Sequence, residues 1–303
     1  MVAKSKALRT PGNFLLVNMS FSNVMMSTAV PMVTVASFEG CDIHAVIMGG
    51  FGLMTINTMA AIAAEKYYAI VRMSQIQTSW KQLVKYLIMV WINSALWVLL
   101  PVVGWGRYIL EGLGTACCFD FLTQTSNNRA FVMALVAGGA VLPLSVIVSF
   151  YIGIYVHVRS HSNKMRKMNV QKHDKKFHLR SEIKIVQMTL ILLVIYLIAW
   201  TPYVVVALMG IFGYEEKLDR VTSTIPAMVA KASALYNPIV YLCYHRGFQS
   251  ELRRMGICLC MLRRKLSTQF SGSDQIRCES TSGNIRRTWI VIDRSASGEY
   301  AFI

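Results

Sequence analysis

The sequence predicts an all-α protein that crosses a membrane several times, and three observations lead there. Of 303 residues, 54% are hydrophobic and only 15% charged, with a mean hydropathy of +0.45. A soluble domain carries nearer a quarter charged residues. Six stretches, 11–38, 43–64, 86–106, 130–158, 185–214 and 221–245, contain no Asp, Glu, Lys or Arg apart from Lys231. Each exceeds the roughly 20 residues that a membrane helix needs. The gaps between the stretches alternate between rich and poor in positive charge, which sets the orientation.

The elements follow in order, with helices expected at about 11–38, 43–66, 84–105, 129–158, 180–213 and 221–244. The segment before the first carries Lys4, Lys6 and Arg9, and the next connection has no positive charge. Lys66, Arg72, Lys81 and Lys85 surround the second connection, against Arg107 and Arg129 in the third. The fourth runs from Arg159 through Lys164, Arg166, Lys167, Lys172, Lys175, Lys176 and Arg180 to Lys184, and the fifth holds Lys217 and Arg220. After the last span come Arg246, Arg253, Arg254, Arg263, Arg264 and Lys265. Lys and Arg collect on the cytoplasmic side, so both termini lie inside, as an even number of spans requires.

The net charge of +16 does not point to nucleic acid. The basic residues lie in the gaps between apolar blocks, with no aromatic-interleaved basic domain. A cytoplasmic surface facing anionic membrane lipid accounts for them. Residues 1–11 are basic and lack an apolar core, so they do not read as a cleavable signal peptide.

Seven cysteines show no CxxC pair and no clustering with histidine, which argues against a metal site. Cys41 falls at the outer mouth of the second span, and Cys117 and Cys118 in the outer loop that follows the third. On that oxidising side a disulfide from Cys41 to one of the two is expected. Cys258 and Cys260, beyond the inner face and near Arg253 and Arg254, suit reversible palmitoylation of a short amphipathic helix at about 246–257. Residues 258–303 read as a disordered cytoplasmic tail, rich in Ser and Thr that suit phosphorylation. Two units are expected, 1–257 in the membrane and 258–303 beyond it.

Lys231 stands alone in the last apolar stretch. A charged amine at the centre of a membrane helix costs about 2.5 to 3.5 kcal/mol on the most lenient scale. Two readings meet that cost: an ion pair with a carboxylate on a neighbouring helix, or a covalent attachment point, since burial makes an amine a Schiff-base nucleophile.

The surrounding residues carry a resemblance. Ala230-Lys231-Ala232-Ser233 followed by Asn237-Pro238-Ile239-Val240-Tyr241, Ala199-Trp200-Thr201-Pro202-Tyr203, and Gly104-Trp105-Gly106-Arg107-Tyr108-Ile109-Leu110-Glu111-Gly112 resemble segments of the opsins, a branch of the rhodopsin-like G-protein-coupled receptors. Lys167-Met168-Asn169-Val170, Glu182-Ile183-Lys184 and Asn127-Asn128-Arg129-Ala130-Phe131 resemble the rhabdomeric, melanopsin-type group. The resemblance covers about residues 8 to 260. It implies a seven-helix receptor bundle of which helices 2–7 are present, with a short amphipathic helix 8.

What the resemblance implies about residues is specific. Lys231 binds 11-cis-retinal covalently, as a protonated Schiff base. A cation in a low-dielectric pocket needs a negative partner, and Glu111 is the counterion expected. His44, three residues after Cys41, stands where rhabdomeric opsins usually have Tyr, and is read as neutral. Gly52, Tyr196, Trp200 and Tyr203 line the chromophore, and Cys117 aligns better than Cys118 as the partner of Cys41. Glu65, Lys66, Tyr67, Glu182, Asn237, Pro238 and Tyr241 form the inner switch that meets a heterotrimeric G protein, of the Gq type for this group. Arrestin and a receptor kinase are further partners implied, at a multi-pass position in the cell membrane. The protein is a receptor on this reading and not an enzyme.

Three departures from the family qualify these expectations. Leu8-Arg9-Thr10-Pro11 resembles the first inner loop, so the first helix is absent from the chain. That marks a partial sequence or a truncated product, with the flank of the second and seventh helices open to lipid. Glu65-Lys66-Tyr67 stands where the family has Arg in the middle, and lysine loses the planar fork of arginine. Asn23 replaces an aspartate of the second helix. The alternative function is a retinal photoisomerase or retinal-binding opsin without signalling, or a non-functional truncated product.

Overall fold

A computed structural model describes residues 11–29, 41–71, 79–111, 114, 116–166, 173–214, 216, 218–237 and 239–240. The chain divides after Cys258, and all of these residues belong to the first unit. They form helices α1 (Pro11–Ala29), α2 (Cys41–Val71), α3 (Trp80–Leu99), α4 (Ser126–Leu135), α5 (Leu142–Arg166), α6 (His173–Ile211) and α7 (Arg220–Ala232), with a two-stranded hairpin of β1 (Tyr108–Glu111) and β2 (Ala116–Phe119) between α3 and α4.

Local chemistry sets the ends of these helices. Ser79 accepts the Gln82 amide at 3.2 Å while Gln82 accepts the Ser79 amide at 3.1 Å, a capping box that satisfies two orphan donors at the start of α3. That helix stops at Leu99, short of the expected 105, because Pro101 has no N–H to continue it. Gly104 and Gly106 then take φ of 97° and 83°, a left-handed backbone that glycine adopts readily, and turn the chain into β1. Asp219 caps α7 through the Thr222 amide at 2.6 Å.

α4 and α5 are one path through the bundle, joined by a π-helical turn at Val136–Val141. Its Gly138 lets the ring of Trp97 lie against bare backbone, where a Cβ would overlap the indole. α6 carries Pro202 in its interior, which leaves the carbonyl one turn earlier without its usual donor.

Cys41–Val71, Trp80–Leu99, Ser126–Ser160 and Glu182–Ile211 are long and apolar enough to cross a membrane. α1 and α7 are shorter within the described residues. Ile88, Met89 and Ile92 on α3 and Ile152 and Val156 on α5 are exposed, as expected where the solvent is hydrocarbon. The interior mixes Leu15, Met19, Met59, Ile62, Ile147, Met188 and Leu192 with polar pairs between helices. Asn18 donates to Thr58 at 2.8 Å and accepts from Trp91 at 3.1 Å, and Asn57 donates to Ser94 at 3.0 Å. Such bonds contribute about 0.6 to 2 kcal/mol each between membrane helices, and these tie α1, α2 and α3 together.

Candidate functional site

Lys231 lies in the last turn of α7, half-buried, just before the helix tightens into a 3-10 turn at Ser233–Leu235. Ser233 is buried in that turn. Its hydroxyl accepts from Trp200 Nε1 at 3.1 Å and donates to the Ala230 carbonyl at 2.6 Å. One serine thus joins α7 to α6 two residues beyond the lysine.

On α6 the spacing of Tyr196, Trp200 and Tyr203 places all three on one face. Tyr196 and Trp200 stack with centroids 5.3 Å apart, and Trp200 meets Tyr203 edge-on at 6.1 Å. Gly52 of α2 closes the other side. A Cβ there would stand 2.8 Å from Trp200 Cη2, so only a bare backbone admits the indole. The Tyr196 hydroxyl reaches the Gly52 carbonyl at 3.5 Å, the far limit of a hydrogen bond.

His44 enters from the outer end of α2. It is 4% exposed, and its Nδ1 accepts the Cys117 backbone N–H at 3.4 Å. Its Nε2 is buried without a hydrogen-bond partner. Lys231 is close enough for its charge to act on the ring. The structure therefore brings Gly52, Tyr196, Trp200 and Tyr203 together at one interior, with Lys231 two residues before the serine that holds Trp200 and His44 on the same helix as Gly52.

The hairpin roofs this interior. Cys41 and Cys117 are joined by a disulfide, which resolves the choice between Cys117 and Cys118. In the hairpin Leu110 faces Cys117 and Ile109 faces Cys118. Neighbouring residues of a strand point to opposite faces, so Cys118 turns away from Cys41 and lies buried outside the disulfide. Glu111 ends β1 opposite Ala116, one pair from the disulfide; its side chain lies outside the described part of the structure.

Below the hairpin, Asp120 is wholly buried and bound on both oxygens. Oδ2 takes Arg107 Nε at 2.5 Å, and Oδ1 takes the Leu122 and Thr123 amides at 3.0 and 2.9 Å. Burial pushes this carboxyl up, but the hydrogen bonds from Thr123, Arg107 and Leu122 together outweigh it and hold it below its ordinary value. Burial, and then Asp42, pushes the Tyr108 phenol up; its hydroxyl donates to the Val98 carbonyl at 2.6 Å. Gln124 donates to the Gly210 carbonyl at 2.6 Å, tying the roof to α6.

At the inner end Lys66 stands between two carboxylates, 2.7 Å from Glu65 and 2.9 Å from Glu182. All three side chains are largely buried, and the second contact crosses from α2 to α6. Tyr67 packs against Phe150 at 5.2 Å and over Gly153 of α5. Asn237 is buried. Pro238, Tyr241, Cys258, Cys260 and the amphipathic helix at 246–257 lie outside the described residues.

Sequence reasoning alone did not single out Ser233, Phe121 or the Arg107–Asp120 pair. Ser233 sits within the Lys231 motif, yet nothing in its type announces an indole partner on another helix. Phe121 meets Tyr203 edge-on at 6.3 Å across 82 positions, with no local signal.

Comparison with known proteins agrees with this geometry. The family model described as the seven-transmembrane receptors of the rhodopsin family matches residues 1–241. The Gq-coupled rhodopsin of Mizuhopecten yessoensis is 33% identical over 289 residues, which cover 89% of this chain and 58% of that protein. Melanopsin-B of Xenopus laevis is 30% identical over 275 residues, covering 86% and 52%. The crystal structure of squid rhodopsin matches with a TM-score of 0.79 at 28% identity, over 90% of this chain and 81% of that one. The chain belongs to the rhodopsin family of seven-transmembrane receptors and is a multi-pass membrane protein. Within that family the proteins it is similar to are rhodopsins and melanopsins, and it spans little more than half the length of these curated relatives.

Proposed function

We propose that the chain is the light-sensing part of a retinal-binding receptor that switches a heterotrimeric G protein of the Gq type. The observation that carries this is the position of Lys231, an amine in the last turn of α7 two residues before Ser233, whose hydroxyl holds the Trp200 indole that rests on Gly52. A glycine where any Cβ would strike the indole, an aromatic wall on α6 and an amine at one end suit a long apolar aldehyde. Retinal in its 11-cis form, bound covalently through Lys231, supplies the light-driven change of shape.

The chain's own residues do the rest. Glu111, at the end of β1, supplies the negative charge that a cation on the Lys231 nitrogen needs in a low-dielectric site. Trp200, held by Ser233 and stacked on Tyr196, is the contact that a reshaped ligand displaces. Displacement acts on α6, whose Pro202 weakens the backbone one turn away, and the inner end of that helix is restrained by Glu182 on Lys66. Release of that restraint, with Glu65, Tyr67, Asn237, Pro238 and Tyr241, exposes the G-protein surface, a two-state switch biased by one ligand. Ser and Thr of the tail suit a receptor kinase and arrestin, and Cys258 and Cys260 suit palmitoylation.

The test is expression of the full-length gene product with 11-cis-retinal, followed by a difference spectrum and a calcium-release assay under light. A bleachable visible band that vanishes in Lys231→Ala is expected, together with a calcium signal. A band that survives Lys231→Ala overturns the reading. A pigment with no calcium signal favours the photoisomerase alternative, which Lys66 in place of arginine would then explain.

A further inference from the structure

We propose that Phe121 and Gln124, on the segment that follows the hairpin, anchor the outer end of α6 at Gly210 and make that helix a lever that yields at its inner end. Gly210 lies in the last turn of α6 and is buried. The helix closes on Gly213, whose φ is 82°. Gly213 N–H donates to the Gly210 carbonyl at 3.1 Å, and Tyr214 N–H to the Met209 carbonyl at 3.0 Å. That is the Schellman pattern of a helix end. A carbonyl oxygen has two lone pairs. Gln124 takes the second one on Gly210, donating from Nε2 at 2.6 Å, so a side chain from the roof completes the cap of α6.

Gly210 also brings two backbones into contact. A Cβ there would stand 2.5 Å from the Phe121 carbonyl oxygen and 2.9 Å from the Phe121 ring. Phe121 is itself buried. Its neighbour Asp120 is fixed by the bonds described above, and Asn128 adds two more, donating to the Asp120 and Thr123 carbonyls at 2.5 and 3.1 Å. On its other side the roof is joined to α2 by the Cys41–Cys117 disulfide. The outer end of α6 is thereby fastened to the same roof as α2.

The two ends of α6 are held in different ways. Outside, backbone meets backbone and leaves no slack. Inside, Glu182 reaches Lys66 through side chains, which can rotate apart while both backbones stay intact. Pro202 lies between the two ends and lacks the N–H that would stiffen the helix there. The Phe121 ring meets Tyr203, and Tyr203 meets Trp200. A push on Trp200 therefore bears on a helix that gives way at its inner end; that such a push comes from light rests on the function proposed above.

The test follows both ends with pairs of genetically encoded spin-labelled residues in the full-length protein. Thr125 with Phe212 reports the outer end and Lys85 with Gln187 the inner end, all four being exposed positions. In pigment regenerated with 11-cis-retinal, light is expected to change the inner distance and to leave the outer one at its dark value. Gln124→Ala removes one anchoring contact at an exposed position. It is expected to let the outer pair move on illumination and to shrink the inner change. A purely structural role would lower the thermal midpoint without transferring movement from one end to the other. Gly210→Ala wedges a methyl against the Phe121 carbonyl and should act in the same direction and further; Gln124→Ala decides alone where that variant does not fold. An outer distance that changes with light in the unmodified protein overturns the proposal, and so does an unaltered partition of movement in Gln124→Ala. Absence of any pigment would instead sink the functional reading. The anchor is then judged in the dark protein, where Gln124→Ala is expected to broaden the outer distance distribution and not the inner one, and unchanged widths overturn it.

Discussion

The indole of Trp200 rests on the bare backbone of Gly52, with 2.8 Å between Cη2 and the place a Cβ would occupy. The ring cannot slide away, since Ser233 holds its Nε1 at 3.1 Å and Tyr196 stacks on it at 5.3 Å. Gly52→Ala is therefore expected to destabilise the protein by about 1 to 3 kcal/mol, the usual cost of overpacking. Adding Ser233→Ala frees one side of the ring and recovers part of the loss. The thermal midpoint of detergent-purified protein measures both; a Gly52→Ala variant as stable as the original refutes the contact.

Much of this was legible beforehand, for reasons that separate the elements. Six charge-free stretches mark spans because twenty apolar residues have few other uses in a chain of this composition. Lys231 stood out because a lone amine there has no bland explanation without a partner. The hairpin was not legible, since strands of four residues leave no pattern to read. The π-helical turn at Val136–Val141 was equally hidden, because apolar residues and two glycines suit an ordinary helix. The resemblance already favoured Cys117 over Cys118, and the disulfide bears that out; the physical reason, strand direction, is a property of the folded hairpin. Long-range pairs such as Trp200 with Ser233 have no trace in local sequence at all.

On the proposed function, the ion pair between Glu182 and Lys66, 2.9 Å long, restrains the inner end of α6. Glu182→Gln removes the arm that crosses from α2 and leaves Lys66 with Glu65, so the fold survives. Higher nucleotide exchange by a purified G protein in the dark is expected, by about threefold to thirtyfold if the restraint contributes 0.6 to 2 kcal/mol, the range for membrane-helix contacts. Lys66→Met instead leaves two buried carboxylates facing each other, which costs about 3 to 5 kcal/mol, and should lower the yield of folded receptor. Dark exchange unchanged in Glu182→Gln would show that the pair restrains nothing.

The disulfide closes a loop of 76 residues in sequence between Cys41 and Cys117. Its removal should cost about 2 to 5 kcal/mol. Cys118 points to the other face of β2 and cannot substitute without a one-residue slip that would invert the whole strand. Cys117→Ser is expected to lose most folded protein, while Cys118→Ser keeps it. Surface yield and thermal midpoint of the two variants decide this, and rescue of Cys117→Ser by the neighbouring thiol would contradict the register.

Asp120 gives the roof a pH dependence whose sign follows from its environment. Its carboxyl is held below its ordinary value in the folded protein, so the unfolded chain takes up a proton first as pH falls. The stabilisation is fully present above the unfolded value of about 3.9 and is lost as pH drops through the lower, folded value. Asp120→Asn keeps an oxygen for the Leu122 and Thr123 amides but loses the charge that Arg107 meets. The variant should be less stable at pH 7, and its thermal midpoint should fall less between pH 5 and pH 3 than that of the unmodified protein. Arg107 is 59% exposed, so solvent weakens its share, and Arg107→Gln should have the smaller effect of the two. Parallel pH profiles for Asp120→Asn and the unmodified protein would mean that the carboxylate carries no charge-dependent load, and that its two amide bonds alone hold the roof.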